Sequence, residues 1–180
     1  ADVVYCTDSA GAMLPIDVKE KISTLVQNLS IPVGHHSHNN LGLAIGNSLA
    51  AIEAGATYID GSLSGLGAGS GNTATDTLVA VMKKMNYDVN ADLFKTMDAS
   101  TKSIIPVLEA KGIKTNTNLD AMILGYAGCY SSFLLHSRRA AERFNVDVRD
   151  IIIELGNIKA VGGQEDWIIE VASDLSKLKK

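Results

Sequence analysis

The sequence predicts an α/β fold in which three β/α units with parallel strands precede an all-helical region. Strand-like and helix-like segments alternate over residues 1–85. The strand segments show little alternation of polar and apolar residues, as expected for strands that are covered on both faces. Strand signals then fade, and only helical periodicity remains. We place the boundary between Met85 and Asp92, which divides the chain into residues 1–88 and 89–180.

Three strand–helix pairs make up the first part. In its first helix, apolar residues recur at the spacing of one helical face, and the helices are long enough to cross between parallel neighbours. We expect Asn72 to cap the third helix. In chain order the predicted strands are 2–7, 31–36 and 57–62, and the helices that follow them are 16–29, 43–54 and 73–85.

The second part is predicted to be entirely helical. Its last helix carries apolar residues three and four positions apart, which is typical of an amphipathic helix packed on a core. The predicted helices are 91–110, 119–125, 131–144, 148–159 and 164–178.

Three β/α units are too few to close a (β/α)8 barrel, which needs eight strands and usually about 250 residues. A free three-stranded parallel sheet would also expose two edges. We therefore expect either that further strands precede Ala1 in a longer chain, which we favour, or that copies of the chain associate.

The composition limits the classes of function. The 180 residues carry a net charge of −4, which argues against nucleic-acid binding because phosphates require a basic surface. No apolar run reaches the roughly 18 residues of a membrane span. No secretory signal is visible, so we expect a cytoplasmic protein. Cys6 and Cys129 form no CxxC pair, and we expect two buried, reduced thiols rather than a disulfide or a nucleophile.

Residues 34–40, GHHSHNN, contain three of the four histidines of the chain. Positions i and i+2 of a strand face the same side, so His36 and His38 should project together and His35 should face the helix layer. The carboxyl ends of parallel strands are where sites form in α/β proteins. Imidazoles suit divalent transition metals, with a carboxylate to complete the site. The alternative is a pair of loop histidines that bind nothing.

Two further loops follow predicted strands. At the first, Ser9 could hydrogen-bond a substrate carboxylate or carbonyl, although Asp8 and Ser9 could equally cap backbone N–H groups of the turn. The second, residues 65–72 (GLGAGSGN), matches neither GxGxxG nor GxxxxGK, which argues against a nucleotide-phosphate loop. Its glycines are expected to allow a tight turn with backbone close to a ligand.

A fourth segment, LGYAGCYSSF at residues 124–133, is rich in small residues that permit close approach of the backbone. Tyr126 could place a phenol at a site, or it could simply be packed in an apolar helix.

Four segments together resemble the 4-hydroxy-2-oxovalerate aldolases, the pyruvate-specific class II aldolases of aromatic meta-cleavage pathways. This family belongs to a metal-dependent lyase superfamily with hydroxymethylglutaryl-CoA lyase and isopropylmalate synthase. The resemblance covers nearly the whole chain. The segments are GHHSHNN at 34–40, IDGSLSGLGAGSGN at 59–72, LGYAGCYSSF at 124–133 and VGGQED at 161–166.

The resemblance implies the last three strands of a (β/α)8 TIM barrel followed by a helical domain that contacts a partner. It assigns metal ligation to His36 and His38, and substrate contacts to Ser9, His36 and Tyr126, with Tyr130 as the second choice for the tyrosine. The third ligand of the family is an aspartate preceded by a catalytic arginine and followed by a catalytic histidine. None of these is present, so no catalytic residue is expected in this chain. His35 stands where relatives are expected to be apolar.

The implied reaction is retro-aldol cleavage of 4-hydroxy-2-oxopentanoate, a small 2-oxo acid, to pyruvate and acetaldehyde. The implied cofactor is a divalent metal, Mn²⁺ first, with Mg²⁺ or Co²⁺ as alternatives. The implied partner is an acylating acetaldehyde dehydrogenase. Two other readings stay open: an acyl-CoA-using relative with the same metal site, and an inactive half-barrel that acts as an assembly module.

Overall fold

The computed structural model describes residues 1–113 and 119–178, and the side chains of 119 and 120 are not included in that description. Its sheet has three parallel strands in the order β1 (Val4–Asp8), β2 (Val33–Ser37) and β3 (Tyr58–Ile59). The α/β class and the parallel order that the sequence predicts are therefore confirmed for this part of the chain.

Three helices follow the strands: α1 (Pro15–Asn28), α2 (Ala44–Glu53) and α3 (Thr75–Lys84). Pro15 at the first helical position has a backbone dihedral suited to starting α1, and the Asp17 carboxylate accepts the Leu14 N–H at 2.8 Å. Helices α1 and α2 pack on one face of the sheet and bury a small apolar core between them. That core consists of Val18, Ile22, Val33, Ala50, Ala51 and Ala56.

The last four helices form a second and larger core. Helix α8 (Val148–Asn157) begins at the cap Asp147, which accepts the Arg149 N–H, and α7 (Phe133–Phe144) ends at Asn145 in the left-handed region. The fully buried side chains of this core include Leu124, Phe133, Ile151, Ile152, Leu155 and Ile168. The helices are α6 (Leu119–Ala127), α7 (Phe133–Phe144), α8 (Val148–Asn157) and α9 (Asp166–Leu178).

The helical prediction over 91–110 is confirmed for residues 93–110, but the segment is not one uninterrupted α-helix. The structure has α4 (Leu93–Ala99), a π-helical turn (Ser100–Ile104) and α5 (Ile105–Ala110). Pro106 has no N–H to continue an α-helical ladder, which accounts for the change of register just before it. The Ser100 hydroxyl donates to Asp76 of α3 at 2.6 Å, so this segment packs on the β/α part.

Two details at the third unit also differ from the prediction. Strand β3 has only two residues, and α3 is capped by Ala74 without a side-chain hydrogen bond, so Asn72 is not its cap. The Asn72 amide instead donates to the Leu66 carbonyl at 3.2 Å, and its backbone bridges to His38. Asn72 therefore closes the glycine-rich loop.

Both cysteines are free thiols. Cys129 is fully buried, and burial raises its pKa to about 11, which makes it unreactive. Cys6 is only half-buried, in contrast to the full burial expected from the sequence. Within residues 1–113 and 119–178, none of the helices has the length and apolar character that a bilayer crossing requires.

Two helical glycines give a matched test of packing. A Cβ at Gly156 of α8 would overlap the Ala127 carbonyl oxygen, whereas a Cβ at Gly46 of α2 has nothing closer than Pro15 Cγ at 4.0 Å. We expect Gly156→Ala to lower the free energy of unfolding by about 1–3 kcal/mol through overpacking. Gly46→Ala should raise it by about 0.5–1 kcal/mol through helix propensity. Urea unfolding of both variants measures these free energies. Equal changes in the two variants would contradict the close contact between Gly156 and the Ala127 carbonyl oxygen.

Candidate functional site

The candidate site lies where the three strands end. In the sheet register Thr7 pairs with His36, and Asp8 pairs with Ser37. His35 pairs with Ile59, so Asp60 follows β3 beside His36. The side chains that leave these strand ends therefore meet at one edge of the sheet.

The structure brings His36 and His38 together, as the strand alternation predicts. Their ring centroids are 5.3 Å apart, with the planes tilted by 59°. His38 Nδ1 is buried and has no hydrogen-bond partner in the described part of the chain. Burial, and then the neighbouring His36, lower the pKa of His38, so its ring is neutral at physiological pH. A buried lone pair on a neutral imidazole beside a second imidazole suits a divalent cation.

His35 faces the opposite side of β2, as predicted. Its side chain is fully buried on the same face of the strand as Val33, which packs with α1 and α2. Its Nδ1 lies 2.9 Å from the Cys6 carbonyl oxygen, and its Nε2 lies 2.6 Å from the Ser37 hydroxyl. Burial lowers the pKa of His35. The neutral ring can donate at one nitrogen and accept at the other, which explains why histidine is tolerated where an apolar residue was expected.

Carboxylates near the pair have different roles. Asp8 is buried and accepts the N–H groups of Ala12 and Met13 at 3.0 and 3.1 Å, so it caps the turn after β1. Asp60 places Oδ2 3.2 Å from His36 Nδ1. Over the residues the structure describes, no three histidine, cysteine, aspartate or glutamate side chains form a group able to hold a metal.

The buried amide of Asn40 joins three segments around this edge. Its Nδ2 donates to the Ala10 carbonyl at 2.9 Å and to the Ser131 hydroxyl at 2.7 Å, and its Oδ1 accepts the Ser70 N–H at 2.9 Å. Gly69 has a φ of 66°, and a Cβ there would overlap Asn40 Oδ1. The glycine-rich loop can therefore close on Asn40 only with glycine at this position.

The sequence-predicted substrate residues lie in different environments. Ser9 is half-buried, and its carbonyl accepts from the Ser131 hydroxyl at 3.1 Å. A cleft of about 800 Å³ along β1 and α1 is lined by Ser9 and Tyr130. Tyr126 is 76% exposed and does not line this cleft, and neither do His36 and His38. The structure thus brings Tyr130, rather than Tyr126, to the cleft beside Ser9.

Sequence reasoning missed Asp60 and Asn40. Asp60 is the polar residue that ends the third strand, which is the same signal that singled out the histidines. Asn40 gave no such signal, because loop asparagines are common and its partners are 30 and 91 positions away.

A parallel sheet with helices on its face and a polar carboxyl edge defines an α/β protein whose site forms at the strand ends. The chain belongs to the HMGL-like family, whose model matches residues 1–121. A second model, the DmpG-like communication domain, matches residues 115–177.

Curated relatives carry the name of the family that the motifs resemble. The chain is 58% identical over 180 residues to 4-hydroxy-2-oxovalerate aldolase of Carboxydothermus hydrogenoformans, covering 100% of this chain and 53% of that protein. It is 59% identical over 179 residues to the enzyme of that name from Pelotomaculum thermopropionicum, covering 99% and 52%. These matches confirm the resemblance, and the chain spans about half the length of the curated relatives it matches.

Solved structures give the same fold. An HMG-CoA lyase from Acenitobacter baumannii, in complex with coenzyme A and 3-methylmalate, superposes with a TM-score of 0.54 at 28% identity, covering 64% of this chain and 39% of that one. The carboxyl transferase domain of Rhizobium etli pyruvate carboxylase has a TM-score of 0.81 at 15% identity, covering 99% and 32%, and shows the fold alone.

The Asn40 contacts predict a specific cost of substitution. Asn40→Asp keeps the shape but loses both N–H donors and places a carboxylate against the Ala10 carbonyl. We expect it to lower the free energy of unfolding by about 3 kcal/mol, and Ser131→Ala to lower it by about 1 kcal/mol. The exposed Asn90→Asp, as the matched control, should stay within about 0.5 kcal/mol. Urea unfolding measures these differences. An Asn40→Asp variant that is as stable as the control would contradict the role of Asn40 in joining the three segments.

Proposed function

We propose that this chain is the carboxyl-terminal half of a divalent-metal-dependent lyase that cleaves 4-hydroxy-2-oxopentanoate to pyruvate and acetaldehyde. The observation that carries the proposal is the imidazole pair, His36 and His38, at the carboxyl edge of a parallel sheet, where His38 Nδ1 is buried without a hydrogen-bond partner among the described residues. The names of relatives at 52–59% identity support the choice of substrate. In this proposal the three β/α units are the last three of a (β/α)8 barrel.

His36 and His38 would hold the metal, with Mn²⁺ preferred over Mg²⁺ or Co²⁺. The ion, when bound, supplies Lewis-acid polarisation of the 2-oxo group and of the negative charge that develops next to it. An aspartate ligand, an arginine and a histidine base are expected from the other half of the barrel. Ser9 lies one residue beyond the Asp8 cap at the strand end, where its hydroxyl can hold the pyruvyl end of the substrate.

The tyrosine at the aldehyde end of the pocket stays a proposal with two candidates. Tyr126 is the residue that the family motif selects, and its exposed phenol is accessible to a ligand. Tyr130 lies beside Ser9, the proposed contact of the pyruvyl end, in a cleft that His36 and His38 do not line. Tyr126→Phe and Tyr130→Phe in the complete enzyme separate the two, since only the substrate-contacting tyrosine should change KM for aldehydes of different length.

We propose that residues 1–88 belong to the barrel and that residues 89–180 form a helical domain that contacts a partner. The match of residues 115–177 to a communication domain supports this role. We propose an acylating acetaldehyde dehydrogenase as the partner, because acetaldehyde is reactive and benefits from direct consumption. A cytoplasmic location belongs to the same proposal, and two free thiols agree with it.

A second candidate is an acyl-CoA-using lyase or synthase with the same histidine pair. It is favoured by the structural likeness, at 28% identity, to an HMG-CoA lyase that was solved with coenzyme A. The two candidates differ in whether turnover requires coenzyme A. The aldolase releases acetaldehyde without it, whereas the second candidate acts on an acyl-CoA.

The imidazole pair should bind metal weakly without a carboxylate. We expect Co²⁺ titration of the chain, followed by visible absorption and competition with Mn²⁺, to detect one site. His36→Ala or His38→Ala should weaken binding more than tenfold, since even outer-shell changes cost about 10- to 100-fold. The exposed His136→Ala is the matched control and should leave binding unchanged. Equal binding by all four proteins would remove these histidines from the site.

Activity gives the complementary test. Metal-loaded chain alone should release no pyruvate from 4-hydroxy-2-oxopentanoate in a coupled lactate dehydrogenase assay. Addition of the amino-terminal half-barrel of a relative should restore pyruvate and acetaldehyde release without coenzyme A. Turnover by the 180 residues alone would contradict the expectation that catalytic residues lie outside this chain, and a strict need for coenzyme A would favour the second candidate.

A further inference from the structure

Tyr5, His36 and Asp60 share one face of the sheet on three neighbouring strands or their ends. Tyr5 pairs with Gly34 across β1 and β2, and Gly34 pairs with Tyr58 across β2 and β3. His36 and Asp60 each lie two residues further along, so they project from the same face as their predecessors. This face is opposite to the one that the covering helices bury.

Gly34 allows Tyr5 to reach across the middle strand. A Cβ at Gly34 would lie 2.5–2.8 Å from three atoms of the Tyr5 ring, so the ring rests directly on the glycine backbone. From this position the Tyr5 ring reaches towards Asp60, two strands away: burial, and then the nearby Asp60 carboxylate, raise the pKa of the Tyr5 phenol. Any side chain at position 34 would displace the ring from this position.

Asp60 in turn contacts a proposed metal ligand. Its Oδ2 lies 3.2 Å from His36 Nδ1, and the two side chains are 47% and 26% exposed. An ionised carboxylate can only accept a hydrogen bond, so Nδ1 of His36 must carry the proton. The lone pair of the neutral ring is then on Nε2.

We propose that Asp60, beside the Tyr5 ring that crosses Gly34, is a positioning residue that fixes His36 in the Nδ1–H tautomer and leaves Nε2 as the metal-binding nitrogen. A carboxylate bonded to the second nitrogen of a metal-ligating histidine fixes the ring and raises its basicity. The proposal rests on the metal site of the proposed function, but the tautomer can be measured without any metal.

The first test is the tautomer in the metal-free chain. Two-bond ¹H–¹⁵N correlation spectra of histidine-labelled protein at about pH 8, above the ordinary histidine pKa, distinguish protonated Nδ1 from protonated Nε2. We expect His36 to carry the proton on Nδ1 in the unmodified chain. Asp60→Ala should move it to Nε2 in a large fraction of molecules, and Tyr5→Phe should cause a smaller shift in the same direction.

Two controls separate this role from a general disturbance. The exposed Asp88→Asn removes a distant carboxylate and should leave the His36 signals unchanged. The His35 signals report the fold of β2, because that ring is held by Cys6 and Ser37 on the other face, and they should stay the same in every variant. Protonated Nε2 on His36 of the unmodified chain, or no change in Asp60→Ala, would overturn the proposal.

The second test is Co²⁺ affinity of the same proteins. Asp60→Ala should lose about 10- to 100-fold, and Tyr5→Phe should lose less, as expected for an outer-shell carboxylate and its support. Complete loss of binding with an unchanged tautomer would make Asp60 a direct ligand and overturn the positioning role. A tautomer that depends on Asp60 in a chain that binds no Co²⁺ would support the positioning role and count against the proposed metal function alone.

Discussion

One buried amide, that of Asn40, sets the geometry on which the candidate site depends. It has no exposed surface, and it joins the turn after β1, the glycine-rich loop and Ser131 of the helical part. Leaving such buried groups unpaired costs about 1–3 kcal/mol each, so the three segments are held in one arrangement. Only a carboxamide supplies both the donors and the acceptor required. Because Asn40 lies two residues beyond His38, the same bonds fix the end of β2 from which the histidine pair projects.

Strand β2 contributes to both the core and the candidate site because its two faces have different neighbours. His35 and Ser37, on the helix side, satisfy each other and the Cys6 carbonyl, so two polar side chains are buried without an unpaired nitrogen. On the other face, Gly34 leaves room for the Tyr5 ring, and His36 stays partly open to solvent. A one-residue slip of the strand would exchange these faces, so the helix-facing core fixes the register that presents the histidines.

Periodicity and strand alternation predicted what is local in this structure. The helices at 16–29 and 43–54 and the common direction of His36 and His38 follow from spacing alone, and the structure reproduces them within a few residues. What the sequence did not predict depends on partners that are distant along the chain or on the missing N–H of a proline. Asn72 was expected to cap a helix but instead closes the glycine-rich loop, and the apolar pattern gave no sign of the π-helical turn just before Pro106. The two missed site residues, Asn40 and Asp60, are defined by contacts 24 to 91 positions away.

The two histidines differ in the hydrogen-bond partners of their ring nitrogens. His36 already has a carboxylate at one nitrogen, whereas His38 buries Nδ1 without a partner in the described residues. A buried unpaired acceptor destabilises the fold by about 1–3 kcal/mol, a cost that a bound cation would remove. If the proposed metal site forms, metal binding and folding at this edge would be coupled, because an ion bound at His38 Nδ1 would also remove this cost. On the proposed function, the carboxylate from the rest of the barrel would complete the metal site and stabilise this half of the fold in the same step.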